Sequence, residues 1–306
     1  VHTCVTGGTG FVGTEVVRQL TADGHRVRLL VRPGSPIPSP ATPDLVPSVT
    51  RHPVDLADPA AVAAATTGAD AVIHLVGIIS EAGTQTFERV HTGLTGAVVT
   101  GAAAAGVRRF VHMSALGTRP EARSRYHRTK WEAEEAVRAS GLDWTIFRPS
   151  LIYGAEDAFT NLFARLSAWS PVLPVLGGGR NLLQPVSVTE VARAFGRSAN
   201  VAEAVGKTFD LCGPERLPFI DVLRAILAAT GRRRALVPIP WPLATLQARL
   251  LELVFAGLLR RPPPLNRDQV LMLQEDNIGD GTPADTLFGL RHEPLRTALQ
   301  RQWARR

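Results

Sequence analysis

Tyr126 and Lys130 stand four positions apart in Tyr-His-Arg-Thr-Lys, in a chain that has only two tyrosines and two lysines. On a helix, positions i and i+4 share a face. An ammonium beside a phenol favours the phenolate, lowering a pKa that starts near 10. Tyr126 is then a proton donor or acceptor for a carbonyl that gains or loses hydride, and Lys130 is also placed to hold ribose hydroxyls. Ser114 closes the run Phe110-Val-His-Met-Ser, a strand end of the kind where ligands sit in open α/β sheets. Its hydroxyl can donate to a substrate oxygen as charge develops there. The plainer alternatives are a solvated i,i+4 pair and a serine that caps a turn. Ser124, nearer to Tyr126, reads as a helix cap.

The second constellation is a glycine turn, Thr6-Gly-Gly-Thr-Gly-Phe-Val-Gly13. A β-prone run, Val1 to Thr6, precedes it and a helical pattern, Thr14 to Ala22, follows. In that context Gly7 permits the tight turn, Gly10 the approach of a pyrophosphate and Gly13 close helix–sheet packing. Thr9, Phe11 and Val12 complete the candidate loop, with phosphates on the helix N-terminus.

These residues need a scaffold, and the chain supplies alternating elements. Strands are expected at Arg26–Arg32, Val49–Val54, Ala69–Val76, Arg109–Ser114 and Trp144–Arg148. Helices are expected after Asp58 (N-cap, with Pro59 at the first position), over Thr84–Ala105 and over Ser124–Ser140. Prolines 33, 36, 38, 40, 43 and 47 punctuate a stretch that holds neither helix nor central strand. Continuous apolar strands alternating with helices mean a parallel sheet covered on both faces. The expected fold class is therefore α/β. A Rossmann-type doubly wound parallel sheet occupies residues 1–150. A smaller α+β portion, 151–306, binds substrate or partner, and segments of it can return to the main sheet. There, helices are expected over Asp157–Trp169, Thr189–Ala199 (with Thr189 as cap), Phe219–Thr230 and Trp241–Arg260, with strands at Pro185–Val188, Lys207–Leu211 and Ala235–Ile239. Phe159, Phe163 and Trp169 are the expected pocket-lining aromatics.

Composition narrows the function classes. The 306 residues are 45% apolar, enough for a large core. The net charge is +7, carried almost wholly by arginine scattered among carboxylates, so nucleic acid is not an expected partner. Cys4 and Cys212 read as buried thiols of a reduced protein, and no metal-ligand spacing is present. With no secretory leader pattern and no long apolar run, the expected location is cytoplasmic, with peripheral attachment to the inner membrane as a second option. Helix 241–261 carries Leu243, Leu246, Leu250, Leu253, Val254 and Leu258 near one face. It either packs on its own domain or meets a membrane surface or a respiratory complex. His74 reads as a satisfied core histidine, and His127 as turned away from the Tyr126–Lys130 face. Oligomeric state is not legible.

Glycine loop, strand-end serine and Tyr-x-x-x-Lys, in this order, resemble the short-chain dehydrogenase/reductase superfamily. The Gly-x-x-Gly-x-x-Gly spacing, Asp55-Leu56, Gly77, Arg148-Pro149 and Tyr153-Gly154 resemble its extended and atypical branches, of NAD(P)-dependent epimerase/dehydratase type. Val111–Gly117, Asp157–Asn161, Leu265–Val270 and Glu275–Asn277 are similar to the atypical branch that includes the nucleotide-binding accessory subunit of respiratory complex I. The resemblance implies that Asp55 contacts adenine, with Leu56 beside it. Gly77 lines the cofactor and Pro149 lies near the nicotinamide. Arg32, where an acidic residue would bind a 2′-hydroxyl, suits a 2′-phosphate, so NADP(H) is expected over NAD(H). The chain departs from the extended branch at His91, where asparagine is usual, and in its Ser114–Tyr126 spacing, which is short for a nucleotide-sugar enzyme.

The leading expectation is an NADP(H)-dependent reductase of a small hydrophobic carbonyl or quinone-like substrate, with Ser114, Tyr126 and Lys130 as catalytic residues. The alternative is a non-catalytic NADPH-holding accessory or assembly protein of a respiratory complex. A nucleotide-sugar epimerase or dehydratase comes third.

Overall fold

The computed structural model describes residues 1–34 and 48–304; of the proline stretch only Pro33 lies within them, and Pro36, Pro38, Pro40, Pro43 and Pro47 lie outside. Seven strands form one parallel sheet: β1 (His2–Thr6), β2 (Arg26–Val31), β3 (Val49–Pro53), β4 (Ala71–His74), β5 (Arg109–Met113), β6 (Asp143–Pro149) and, after four strands outside it, β11 (Lys207–Leu211). Their order is β11-β6-β5-β4-β1-β2-β3, with every neighbouring pair parallel. The order reverses between β1 and β4, which opens a crevice at their carboxyl ends. The edge strand β11 comes from the second half of the chain.

Helices cover both faces. On one side α1 (Phe11–Ala22) lies with α6 (Val188–Ser198) and α10 (Thr282–Phe288), burying Val16, Leu20, Phe195 and Phe288 against Val5, Leu29 and Phe147. On the other, α2 (Pro59–Thr66), α3 (Leu94–Ala104) and α4 (Arg125–Arg138) bury Val62, Val98 and Val137 against Val72, Phe110 and Ile146. Local chemistry starts these helices. Asp58 accepts from Ala60 N at 2.9 Å with Pro59 following, which satisfies one of the free N–H groups of the first turn. The N-cap of α6 is Ser187, not Thr189: its hydroxyl accepts from Thr189 N, because the chain turns helical one residue earlier than the apolar pattern indicates.

With Ile152 and Val186 packing on the first core, most of a third core is built by the remaining elements. These are β7 (Ile152–Tyr153), α5 (Ala158–Trp169), β8 (Val172–Leu176), β9 (Leu182–Leu183), β10 (Val186–Ser187), β12 (Leu217–Pro218), α7 (Phe219–Ala229), β13 (Ala235–Ile239), α8 (Trp241–Leu251), α9 (Arg267–Met272) and α11 (Leu295–Ala304). Phe159, Phe163 and Phe219 meet there with ring centroids 5.1–6.0 Å apart. The two phenylalanines expected to line a pocket therefore pack in a core. Trp169, at the end of α5, is 92% exposed, because its position ends a helix whose apolar face has already turned inward.

Candidate active site

The glycine turn between β1 and α1 is built by close approach. Gly7 takes φ 71°, a left-handed conformation that costs glycine nothing. A Cβ on Gly13 would lie 2.1 Å from Gly7 O and 2.6 Å from Gly8 Cα, so the first helical turn interlocks with the loop. Thr9 and Gly10 are exposed, Gly10 N donates to Gly7 O at 3.1 Å, and no side chain caps α1. Bare backbone and uncapped N–H groups at a helix N-terminus form a cradle for an anion, which fits the pyrophosphate of a dinucleotide.

The other candidate contacts stand at the same carboxyl edge. Arg32 is exposed just past β2, and Asp55 is exposed past β3, its Oδ1 accepting from Ala57 N at 3.0 Å. Gly77 is exposed past β4. Pro149 ends β6, its carbonyl accepting from Leu116 N at 2.9 Å. Phe11 lies against Gly154, where a Cβ would come within 3.1 Å of the ring. Val12 packs on the first core and the side chain of Leu56 is buried in the other.

Helix α4 carries Tyr126 and Lys130 into this edge. Ser124 caps it, its hydroxyl accepting from His127 N at 3.3 Å. Asp268, 142 residues further along, accepts from Arg125 N at 2.5 Å and Tyr126 N at 3.3 Å. Lys130 Nζ donates to Met113 O at 2.9 Å, one residue before Ser114. A Cβ on Gly77 would lie 3.0 Å from that same Nζ. Ser114 is buried, its N donating to Phe147 O at 2.7 Å and its hydroxyl to Thr118 Oγ1 at 3.3 Å. Thus Gly77, Lys130 and the Met113–Ser114 strand end converge.

The electrostatics differ from the expectation at Tyr126. Burial pushes its pKa up to about 12, and burial, opposed by Glu134, pushes Lys130 down to about 8. The ammonium is spent on Met113 O rather than on the phenol, so no cation lowers Tyr126. At neutral pH the group is a neutral phenol, the form that donates a proton.

Two histidines enclose the phenol. His91 meets the Tyr126 ring edge-on at 5.2 Å and stacks on Phe87 at 5.4 Å. It is fully buried, with Nδ1 2.9 Å from Thr129 Oγ1 and Nε2 3.0 Å from Ile78 O. Burial, then Lys130, push its pKa down to about 2. His91 reaches this position from a π-helical turn, Glu88–Gly93, ahead of α3, where the wider coil re-aims side chains. His127, at the next helical position, touches the Tyr126 ring only edge-on at 5.2 Å; its Nδ1 lies 3.0 Å from Ser124 Oγ and its ring lies against Gly117. His74 is a satisfied core histidine, bonded to Thr6 and Thr95 hydroxyls at 2.7 and 3.1 Å. Among the described residues no three His, Cys, Asp or Glu groups are placed to hold a metal, and Cys4 and Cys212 are buried free thiols.

Residues 7–161 match the family of NAD(P)H-binding proteins. The chain is 40% identical over 172 residues to a ceramide reductase of Caulobacter vibrioides, covering 56% of this chain and 53% of that one. It is 32% identical over 241 residues to the mitochondrial NADH dehydrogenase (ubiquinone) 1 alpha subcomplex subunit 9 of Mus musculus, covering 78% and 63%. It thus spans between about half and two thirds of these two relatives. With a 2-alkyl-3-oxoalkanoate reductase of Stenotrophomonas maltophilia it shares 30% identity over 86% of each chain. Among solved structures, a dTDP-glucose 4,6-dehydratase of Streptomyces venezuelae superposes with a TM-score of 0.75 at 21% identity, over 100% of this chain and 97% of that one. At that identity the likeness shows a shared fold.

Proposed function

The chain belongs to the NAD(P)H-binding family, of short-chain dehydrogenase/reductase type, and from that premise we propose that it is an oxidoreductase. Its proposed substrate is a carbonyl compound bearing alkyl chains, reduced to the alcohol with NADPH. The observation that carries this reading is the convergence of Gly77, Lys130 and the Ser114 strand end beside a phenol that stays protonated at neutral pH. When bound, the nicotinamide supplies the hydride. Tyr126 Oη delivers the proton to the substrate oxygen as that oxygen gains charge, and Ser114 Oγ, exchanging Thr118 for substrate, orients it. Lys130, anchored on Met113 O, turns its remaining protons to the ribose. Gly7, Thr9, Gly10 and Gly13, with Phe11 and Val12 beside them, cradle the pyrophosphate. Asp55 and the Leu56 main chain border the adenine, and Pro149 borders the nicotinamide. Arg32 favours the 2′-phosphate of NADP(H). The alkyl chains are supported by the names of two relatives, a ceramide reductase and a 2-alkyl-3-oxoalkanoate reductase.

The test is to release and identify the nucleotide that co-purifies, with its redox state, then to add long-chain ketones. NADPH consumed by wild type, but retained and unoxidised in Tyr126→Phe, is the expected result. Oxidation by Tyr126→Phe at the wild-type rate would sink the assignment.

A second reading has its own support: the subunit-9 relative matches a larger share of this chain than the ceramide reductase does. In that reading the protein holds NADPH as an accessory of a respiratory complex. Nucleotide that stays tightly bound and that no carbonyl or quinone oxidises would favour it.

A further inference from the structure

Helix α8 and the π-helical turn that continues it, Glu252–Leu258, turn their small residues inward. The buried positions of α8 are Ala244 and Ala248. Leu243, Leu246, Leu250, Leu253, Val254 and Leu258 face outward, Leu253 at 70% and Leu258 at 79% exposure. The spacing of 243, 246, 250 and 253 is that of one helical stripe, so these side chains form a continuous apolar ridge. Among the described residues no helix is long and apolar enough to cross a membrane.

From Arg232 to Arg267, both included, the sequence holds seven arginines and a single acid, Glu252. Glu252 is taken up by Arg267, whose N and Nε donate to it at 2.7 and 2.6 Å. Arg249, Arg260 and Arg261 are exposed. Arg260 closes the ridge at φ 52°, the one positive φ at a non-glycine among the described residues, a strained backbone that glycine would occupy without cost. A second copy docked ridge to ridge would bring these arginines together with no free acid to meet them.

We propose that this ridge docks on an anionic lipid surface, with its leucines at the acyl boundary and Arg249, Arg260 and Arg261 among the lipid phosphates. The docking face is bonded to the candidate site. Glu252 holds Arg267, the next residue Asp268 caps Tyr126 N, and Asn266 Nδ2 donates to Ile79 O at 2.9 Å. A membrane-seated ridge therefore sets the crevice beside the bilayer, where substrates with alkyl chains reside; this last step rests on the substrate class proposed above, and the docking itself does not.

The full chain is floated with vesicles of phosphatidylglycerol and phosphatidylcholine in equal parts, and with pure phosphatidylcholine, in the absence of substrate. Wild type should bind the anionic vesicles and bind neutral ones at least about tenfold more weakly. Arg260→Ser with Arg261→Ser should weaken binding about 25-fold, at roughly fivefold per arginine. Leu250→Glu with Leu253→Glu should abolish it. All four positions are exposed, so thermal midpoint and dinucleotide binding should match wild type and report a folded protein. Wild type that stays with the soluble fraction, or binding that both double variants retain, overturns the proposal. So does a wild-type mass of two chains without vesicles that falls to one in the leucine variant, since the ridge then covers a second copy. Loss of turnover in Tyr126→Phe with flotation intact would separate the docking from the chemistry.

Discussion

Lys130 Nζ lies 2.9 Å from Met113 O and faces Gly77, where a Cβ would stand 3.0 Å away and 3.7 Å from His91 Nε2. One ammonium thus joins the ends of two adjacent strands, β4 and β5, to the helix that carries the phenol. Its burial is the cost of that position, and Glu134 behind it is the nearest compensation. Glu134 is itself held by Arg138 and Arg148, each at 2.6 Å, so the cation rests on a chain of charges anchored to β6.

Gly77→Ala is expected to disturb this contact without unfolding the protein. The added methyl meets the far end of a flexible side chain, which can shift by a few tenths of an ångström but only by loosening its bond to Met113. Overpacking of this kind costs about 1–3 kcal/mol, and because the contact exists without nucleotide, part of it falls on the fold itself. Dinucleotide affinity should drop roughly tenfold by calorimetry, and the thermal midpoint should fall by a few degrees. Unchanged affinity would remove Gly77 from the site.

Lys130 should also be visible in alkaline stability. Its folded pKa, about 8, lies below the ordinary 10.5. Between those values the unfolded chain holds a proton that the folded chain has released, so stability rises with pH. Tyr126 acts in the opposite sense above pH 10, since its folded value is about 12. Cys4 and Cys212, pushed up to about 11 and 12 by burial, add losses from pH 9. The lysine contribution is therefore read as a difference. The stability of Lys130→Met relative to wild type should be flat below pH 8 and fall by about 1.4 kcal/mol per pH unit from 8 toward 10.5. A flat difference throughout would mean that Lys130 is not desolvated.

What was legible in the sequence is what neighbours within a few positions decide. Asp58-Pro59 and Ser124 act as the caps their types indicate, and Gly7 and Gly13 sit in the turn that demands them. The strands of the sheet follow their apolar runs, and His74 finds its hydroxyls. Distant or geometric effects were not legible. The π-helical turn that aims His91 at Tyr126 has no periodicity signal, and Asp268 reaches α4 from 142 residues away. The burial that raises Tyr126 arises from Phe87, His91 and His127, rings brought together only by folding. In α8 the sequence left open whether the leucine face packs inward or meets a partner; the alanines are the buried positions, because close helix packing selects the small side chains.

Asp268 tests how far α9 governs the phenol. Its carboxylate takes up two N–H groups of the first turn of α4, beyond the one that Ser124 satisfies. Losing such a cap costs about 1 kcal/mol, so Asp268→Ala should lower the thermal midpoint by only a few degrees. Turnover should fall further than stability, with kcat reduced and KM nearly unchanged, because the helix end that frays carries Tyr126. Asp268→Asn, which keeps an acceptor oxygen, should restore most of kcat. Equal losses in both variants would point to the charge rather than to the cap.

Four of the five buried histidines, those most strongly shifted, set an acid limit to the fold. His74, His91 and His127 are pushed down to about 3, 2 and 4 by burial, and His112 well below its ordinary value. Above pH 6.5 all four are neutral in both states and cost nothing. As pH falls below 6.5 the unfolded chain takes up protons that the folded chain refuses, so each removes about 1.4 kcal/mol per pH unit. Four together remove roughly 5 kcal/mol per unit against a total stability of about 5–15 kcal/mol. Cooperative unfolding is therefore expected within about one to three units below pH 6.5, with uptake of about four protons, measured by circular dichroism and the pH dependence of the urea midpoint. The ring nitrogens of His112 meet no hydrogen-bonding protein group among the described residues, so His112→Leu removes a titrating group while leaving no partner unpaired. It should reduce the uptake by one proton and shift the transition to lower pH; an unchanged acid limb would show that His112 is hydrated and already able to protonate in the folded state.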